Sequence, residues 1–252
     1  MSLGDWPYPY WIAHRGAGKL APENTLAAFR VGAQYGYRMF ECDVKLSADG
    51  VPFLLHDATL ERTTSGQGPA HALTWSQLAA LDAGSWHSAS STQSAPFSRE
   101  PLLSLQSLAA WCLEQGCLLN IEIKPVPGQE TLTGTAVANA AAQLWSSSPV
   151  PPLLTSFQVE SLRAAKAAQP QLPRGLLLDE WTRASLQEAL ALECRAVVCQ
   201  HRLWDAANVG QVHAAGMRAL SYTVNEAADV ARLDALGTDG IITDRVDVFA
   251  PD

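Results

Sequence analysis

Short apolar runs alternate with helix-spaced segments almost from one end of the chain to the other, and this alternation restricts the fold more than any other feature. The runs are YWIAHRG, RMFECDVKL, VPFLLHD, CLLNIEIK, PPLLTSF, RGLLLD, AVVCQ, RALSYTV and DGIITD. Between them lie segments such as NTLAAFRVGAQYG, SLQSLAAWCLEQG, VESLRAAKAAQ and NEAADVARLDALG, whose apolar residues recur at helical intervals. Several of these segments end in Gly just before the next run, and Asn24 and Asn225 stand where helix N-caps belong. Strands that are apolar along their whole length are buried on both faces, which describes a parallel sheet covered by helices. A strand count near eight in 252 residues favours closure into a (β/α)8 barrel over an open doubly wound sheet, as one domain spanning residues 1–252.

Residues 57–100 interrupt the pattern. They are rich in Ser, Thr, Gly and Ala and weakly periodic, and a structureless loop of that length is uncommon inside a compact domain. The segment reads as a small inserted subdomain with a short helix at TWSQLAAL, and residues 88–98 as its most mobile part.

Composition narrows the function by exclusion. The formal charge of −8 argues against a nucleic-acid binder, which needs a basic face to displace counterions. The chain opens on MSLGDWPYPYW, without the basic and apolar regions of a secretion signal, and contains no run long enough to span a bilayer. The expectation is a cytoplasmic protein with no stable membrane association; nothing in the sequence fixes an oligomeric state. Cys42, Cys112, Cys117, Cys194 and Cys199 are odd in number and mostly embedded in apolar runs, as free buried thiols are.

A (β/α)8 barrel gathers its functional side chains at the C-terminal ends of its strands. His14 and Arg15 follow the first run, Glu41 and Asp43 lie in the second, His56 and Asp57 close the third, and Glu122 and Lys124 end LLNIEIK. Alternation along a strand turns Glu41 and Asp43 to the same side. Three carboxylates converging on one barrel mouth repel one another unless a cation holds them, and an all-oxygen donor set favours a hard ion, Mg2+ or Ca2+. Imidazole titrates near neutrality, so His14 and His56 can divide general acid and general base work. Arg15 and Lys124 supply the positive charge that a phosphodiester requires.

Taken together, HRGAGKLAPENTLAAF, ECDVKLSADGVPFLLHDATLERTTSGQG and LNIEIKP resemble the glycerophosphodiester phosphodiesterase family of the cytoplasmic bacterial type, and TSF, SYTVN and ITD continue the likeness. The resemblance implies a metal-dependent hydrolase that splits a small glycerophosphodiester into an alcohol and sn-glycerol 3-phosphate. It also implies that His14 and His56 are acid and base, that Glu41, Asp43 and Glu122 bind one divalent cation, and that Arg15 and Lys124 contact phosphate. The chain departs from the family pattern in carrying Tyr222 where Trp is frequent, and in lacking a proline soon after Thr243-Asp244.

Phe157 and Tyr222 end barrel strands and are candidates to line a glycerol pocket; Trp86 is a candidate for substrate contact. Glu23 stands in a loop at the active face, placed to orient His14 or Arg15. His71, His87, His201 and His213 have no converging partner in the sequence and are assigned structural or surface roles. A rival reading, a phospholipase C- or D-like enzyme acting on lipid, calls for an interfacial basic amphipathic helix that the sequence does not supply.

Overall fold

The computed structural model describes residues 6–88, 96–182 and 184–251; of the stretch read as most mobile, residues 89–95 lie outside them. Eight parallel strands close into a barrel. They are β1 (Trp11–Ala13), β2 (Met39–Leu46), β4 (Leu118–Ile123), β5 (Leu153–Ser156), β6 (Arg174–Leu178), β7 (Ala196–Gln200), β8 (Arg218–Tyr222) and β9 (Gly240–Thr243). Closure is made by β1, which pairs with β9 on one side and with β2 on the other. The helices α1 (Leu26–Gln34), α3 (Leu105–Gln115), α4 (Glu130–Leu144), α5 (Val159–Ala168), α6 (Ser185–Ala191), α7 (Ala206–Ala214) and α8 (Ala227–Leu236) connect successive barrel strands.

Local chemistry accounts for the helix boundaries. The Thr25 hydroxyl accepts from Ala28 N to start α1, and Ser104 accepts from Ser107 N to start α3. Gly116 and Gly237 end α3 and α8 in the left-handed conformation. Neither predicted asparagine is a cap: Thr25 and Glu226 hold those positions, and both asparagines serve the site described below.

The strand β2 shows how the sequence sorts side chains. All eight of its residues are buried. Phe40, Cys42 and Val44 pack outward beneath the helices, where the Phe40 ring meets Phe29 of α1 and Trp111 of α3 at 5.5 and 5.8 Å. Such ring pairs add roughly 0.5–1.5 kcal/mol each beyond area burial. The alternate set, Met39, Glu41, Asp43 and Lys45, faces the barrel interior. Met39 joins an apolar interior layer with Ile12, Leu153, Leu177, Val198, Leu220 and Ile242. The polar members lie beyond that layer toward the C-terminal mouth, so the apolar floor holds the carboxylates up at the mouth.

One predicted barrel strand has another role. VPFLLHD forms β3 (Pro52–Leu54), which runs antiparallel to β2 with Val44 opposite Leu54 and Leu46 opposite Pro52. A turn at Ser47–Val51 reverses the chain, and Leu55 N then donates to Asp43 O at 3.1 Å. His56 therefore reaches the mouth by folding back onto β2, since β2 continues past the rim. The chain next makes its excursion, in which Phe53, Leu55, Leu60, Ala70, Leu78, Ala83 and Leu102 bury a small core of their own. The expected short helix is there as α2 (Trp75–Leu78), with a capping box between Thr74 and Gln77.

Candidate active site

The barrel mouth brings together the histidines, cations and carboxylates that the sequence nominated for chemistry, with Phe157 and Tyr222 beside them. A cavity of about 180 Å3 at the mouth is lined by His14, Arg15, Glu41, His56, Glu122, Lys124, Phe157 and Tyr222, among others. Asp43 is fully buried beside it. One oxygen from each of Glu41, Asp43 and Glu122 lies within 4.8 Å of the others.

The H-R-G segment makes a tight path over this end of the barrel. Arg15 adopts φ 51° and Gly16 φ 103°. A Cβ on Gly16 would come within 2.7 Å of Ala28 Cβ, and one on Gly18 within 2.2 Å of Asp244 O, so glycine is required at both. The close approach at Gly18 brings Asp244 to His14, where Nδ1 and Asp244 Oδ1 are 2.6 Å apart. Asp244 is itself held by Asn225, whose Nδ2 donates to Asp244 Oδ2 at 2.9 Å and whose Oδ1 accepts from Asp244 N at 2.9 Å. His56 has the same arrangement, with Nδ1 2.7 Å from Asp57 Oδ1. In both histidines a carboxylate takes Nδ1 and leaves Nε2 for chemistry.

Cations surround the carboxylates. Arg15 Nε lies 3.1 Å and Lys124 Nζ 3.5 Å from Asp43, and Lys124 Nζ donates to Glu122 Oε1 at 2.8 Å. Asn24, with φ 60°, donates Nδ2 to Asp43 Oδ2 at 2.8 Å and accepts from Asp43 N at 3.2 Å. It orients Asp43 instead of capping α1. Glu23 accepts from Arg15 Nη1 at 2.9 Å, so of its two prospective partners it serves the arginine.

These contacts set the protonation states. Burial and the neighbouring Asp43 charge raise Glu41 well above the carboxylate range, and burial with Asp43 likewise raises Glu122. Burial works in the same direction on Asp43, but Arg15 and Lys124 outweigh it and hold that carboxyl low. For His14, burial opposes the charged form, yet the Asp244 hydrogen bond and the Glu41 charge prevail and raise it. For His56, burial together with Arg15 and Lys124 prevails over Asp43 and lowers it. The two imidazoles are thus separated in opposite directions.

The oxygen cluster fits a divalent cation. Asp43 Oδ1 is buried without a hydrogen-bond donor, and Glu41 and Glu122 resist ionising side by side. A cation supplies what this donor set lacks. Phe157 and Tyr222 meet edge to face with centroids 5.8 Å apart on the wall of the cavity, and Tyr222 Oη donates to Leu178 O at 3.0 Å.

Trp86 lies elsewhere. It lines a neighbouring cavity of about 390 Å3 that shares His14 and Arg15 with the first and also includes Lys19, Arg62 and His87. Two of the histidines assigned structural roles do have acidic partners, His213 with Asp239 at 2.7 Å and His201 with Asp229 at 3.4 Å, and neither lines the mouth cavity. The five cysteines are free and buried. Among the described residues no helix is long and apolar enough to cross a membrane.

Residues that sequence reasoning missed are Asp244, Asn225 and Arg62. Asp244 directly follows β9, and the strand-end rule that found His14 could have found it too. Arg62 gives no such signal, because it belongs to the excursion.

The sequence matches the glycerophosphoryl diester phosphodiesterase family over residues 14–248. A glycerophosphodiester phosphodiesterase from Caldanaerobacter subterraneus subsp. tengcongensis is 31% identical over 244 residues, covering 92% of this chain and 93% of its own. The structure of an Oleispira antarctica phosphodiesterase in complex with the product sn-glycerol-3-phosphate is similar with a TM-score of 0.85 and 31% identity, covering 94% of this chain and 93% of that one. A glycerophosphodiester phosphodiesterase from Agrobacterium tumefaciens is similar with a TM-score of 0.78 and 27% identity, covering 96% and 99%.

Proposed function

The chain belongs to the glycerophosphoryl diester phosphodiesterase family and is a hydrolase of that class, and from that premise we propose that it cleaves small glycerophosphodiesters at this mouth with His14 as general acid and His56 as general base. The observation that carries the reading is the pair of carboxylate-held imidazoles flanking three clustered carboxylates. Raised by the Asp244 hydrogen bond, His14 is the better placed of the two to protonate the departing alcohol, and His56, lowered, is the better placed to take a proton.

Glu41, Asp43 and Glu122 would hold one Mg2+ or Ca2+, which when bound supplies Lewis-acid stabilisation of the negative charge that develops at phosphorus. Arg15 and Lys124 contact the phosphate oxygens, Arg15 as a fork and Lys124 as a point charge. Phe157 and Tyr222 form the wall against which the glycerol moiety packs. His56 takes the proton either of water or of the glycerol 2-hydroxyl attacking internally, and the internal route gains its rate from orientation. An analogue lacking that hydroxyl distinguishes the two; normal turnover of it excludes internal attack.

The acid assignment is tested by the leaving group. Loss of roughly two to four orders of magnitude in kcat is the scale for an acid–base residue. His14→Ala should lose that much on glycerophosphocholine and far less on the p-nitrophenyl ester of glycerol phosphate, whose leaving group needs no proton. His56→Ala should lose the same on both. Equal losses for His14→Ala on the two substrates would remove it as the acid.

A further inference from the structure

We infer that Arg62 is a positioning residue for this reaction, holding His56 through Asp57 and Arg15 through Glu23; the inference rests on the roles proposed above for those two residues. Arg62 lies in the turn after β3, a segment fixed by Leu60, which is fully buried in the core of the excursion, and by the Thr64 hydroxyl, which donates to Leu60 O at 2.7 Å. From there the guanidinium forks twice. Nε and Nη2 donate to Asp57 Oδ2 and Oδ1 at 2.5 and 3.0 Å, and Nη1 and Nη2 donate to Glu23 Oε2 and Oε1 at 2.8 Å each. These bonds use four of its five N–H donors.

Each carboxylate is shared. Asp57 Oδ1 also meets His56 Nδ1 at 2.7 Å, and Glu23 Oε1 also accepts from Arg15 Nη1 at 2.9 Å. A carboxylate clamped on one side by a bidentate fork has one orientation left in which to hold a partner on the other. One side chain from the excursion therefore fixes the tautomer of a histidine that came in on β3 and the guanidinium of an arginine that came in on β1. The excursion contributes to the geometry of the site through this residue.

A purely structural arginine would account for the bonds to Arg62 but not for a dependence on His56. Arg62 is 45% exposed, and exposed ion pairs contribute little to stability, so its replacement should leave the fold intact. Lysine keeps the charge but cannot fork to two carboxylates.

The experiment is steady-state kinetics on glycerophosphocholine at saturating divalent cation, with Arg62→Gln and Arg62→Lys introduced into the wild type and into His56→Ala. Either substitution in the wild type should lower kcat by roughly 10- to 100-fold, the scale for partners that orient a functional group, with little change in melting temperature. In the His56→Ala background the same change should lower kcat further by only about threefold or less, because the group through which Arg62 acts on turnover is gone. Loosening Glu23 and with it Arg15, the proposed phosphate contact, should also raise KM, and that rise should persist in the His56→Ala background. A kcat within twofold of wild type, or equal losses in both backgrounds, overturns the inference. If the glutamine variant misfolds, the lysine variant carries the same test. A wild type that turns over no glycerophosphodiester removes the proposed function and this inference together; an active wild type with His56→Ala impaired and Arg62→Gln normal removes this inference alone.

Discussion

Replacing Asp244 by Asn tests the acid assignment through a residue that does not line the mouth cavity. Asp244 Oδ1 lies 2.6 Å from His14 Nδ1, while Asn225 presents its Nδ2 to Oδ2 and has its own Oδ1 fixed by Asp244 N and the Thr243 hydroxyl. Asn225 therefore cannot turn over. An asparagine at 244 must aim its own NH2 either at the Asn225 NH2 or at His14 Nδ1. The first choice sets donor against donor, and the second forces His14 into the tautomer that leaves Nε2 protonated only as the neutral ring. Either way a charge-assisted hydrogen bond, worth about 1.5–3 kcal/mol, is lost. Expressed fully in the transition state, that amounts to roughly a 10- to 150-fold fall in kcat. The direction of the pH effect follows from the same contact. The bond to Asp244 raises His14, whose protonated form is the active one, so the alkaline limb of kcat/KM should move to lower pH in the variant. The acid limb, set by His56, should stay. The assay is release of glycerol 3-phosphate from glycerophosphocholine across pH 5–10. A kcat within threefold of wild type with both limbs in place would refute the reasoning.

Asp244 also bears on acid stability: its carboxyl is held at about 2 by His14 and Asn225 against the opposing effect of burial, and it is 18% exposed. A depressed carboxyl stabilises above its unfolded pKa near 3.8 and loses that contribution as pH falls through about 2. Urea unfolding should therefore show a contribution of roughly 2 kcal/mol at pH 7 that is gone near pH 2; a wild-type–variant difference independent of pH would contradict this. Asn24→Ala removes both bonds to Asp43 and places alanine at φ 60°. It should cost roughly 2–4 kcal/mol of stability, seen as a lower urea midpoint, and weaken cation binding in calorimetry. Glu122→Ala should lose cation affinity and activity together; activity lost with affinity intact would remove Glu122 from the ligand set.

The barrel was legible because its strands are apolar along their length and its helices are not, and the functional residues were legible because they interrupt apolar strands at one end. Glu41 and Asp43 are buried acidic positions in the apolar strand β2, and Glu122 is a half-buried one in β4, so they stand out from the runs that carry them. What the sequence hid was reach. VPFLLHD reads as one more barrel strand, and only the register of β3 on β2 shows that His56 arrives by folding back. Asn24 and Asn225 precede helices and look like caps, but a residue at φ 60° cannot be an extended N-cap, and both turn to carboxylates distant in sequence. Arg62 couples Glu23 and Asp57 across 39 and 5 residues, a juxtaposition that depends on the small core of the excursion and leaves no periodic trace.

The most direct test of the account is release of sn-glycerol 3-phosphate from glycerophosphocholine by the chelated protein, before and after adding back Mg2+ or Ca2+. Release that stops with the chelator and returns with one of the two ions is the predicted result. Full turnover in the presence of chelator, or none with either ion across choline, ethanolamine and glycerol esters, would contradict it.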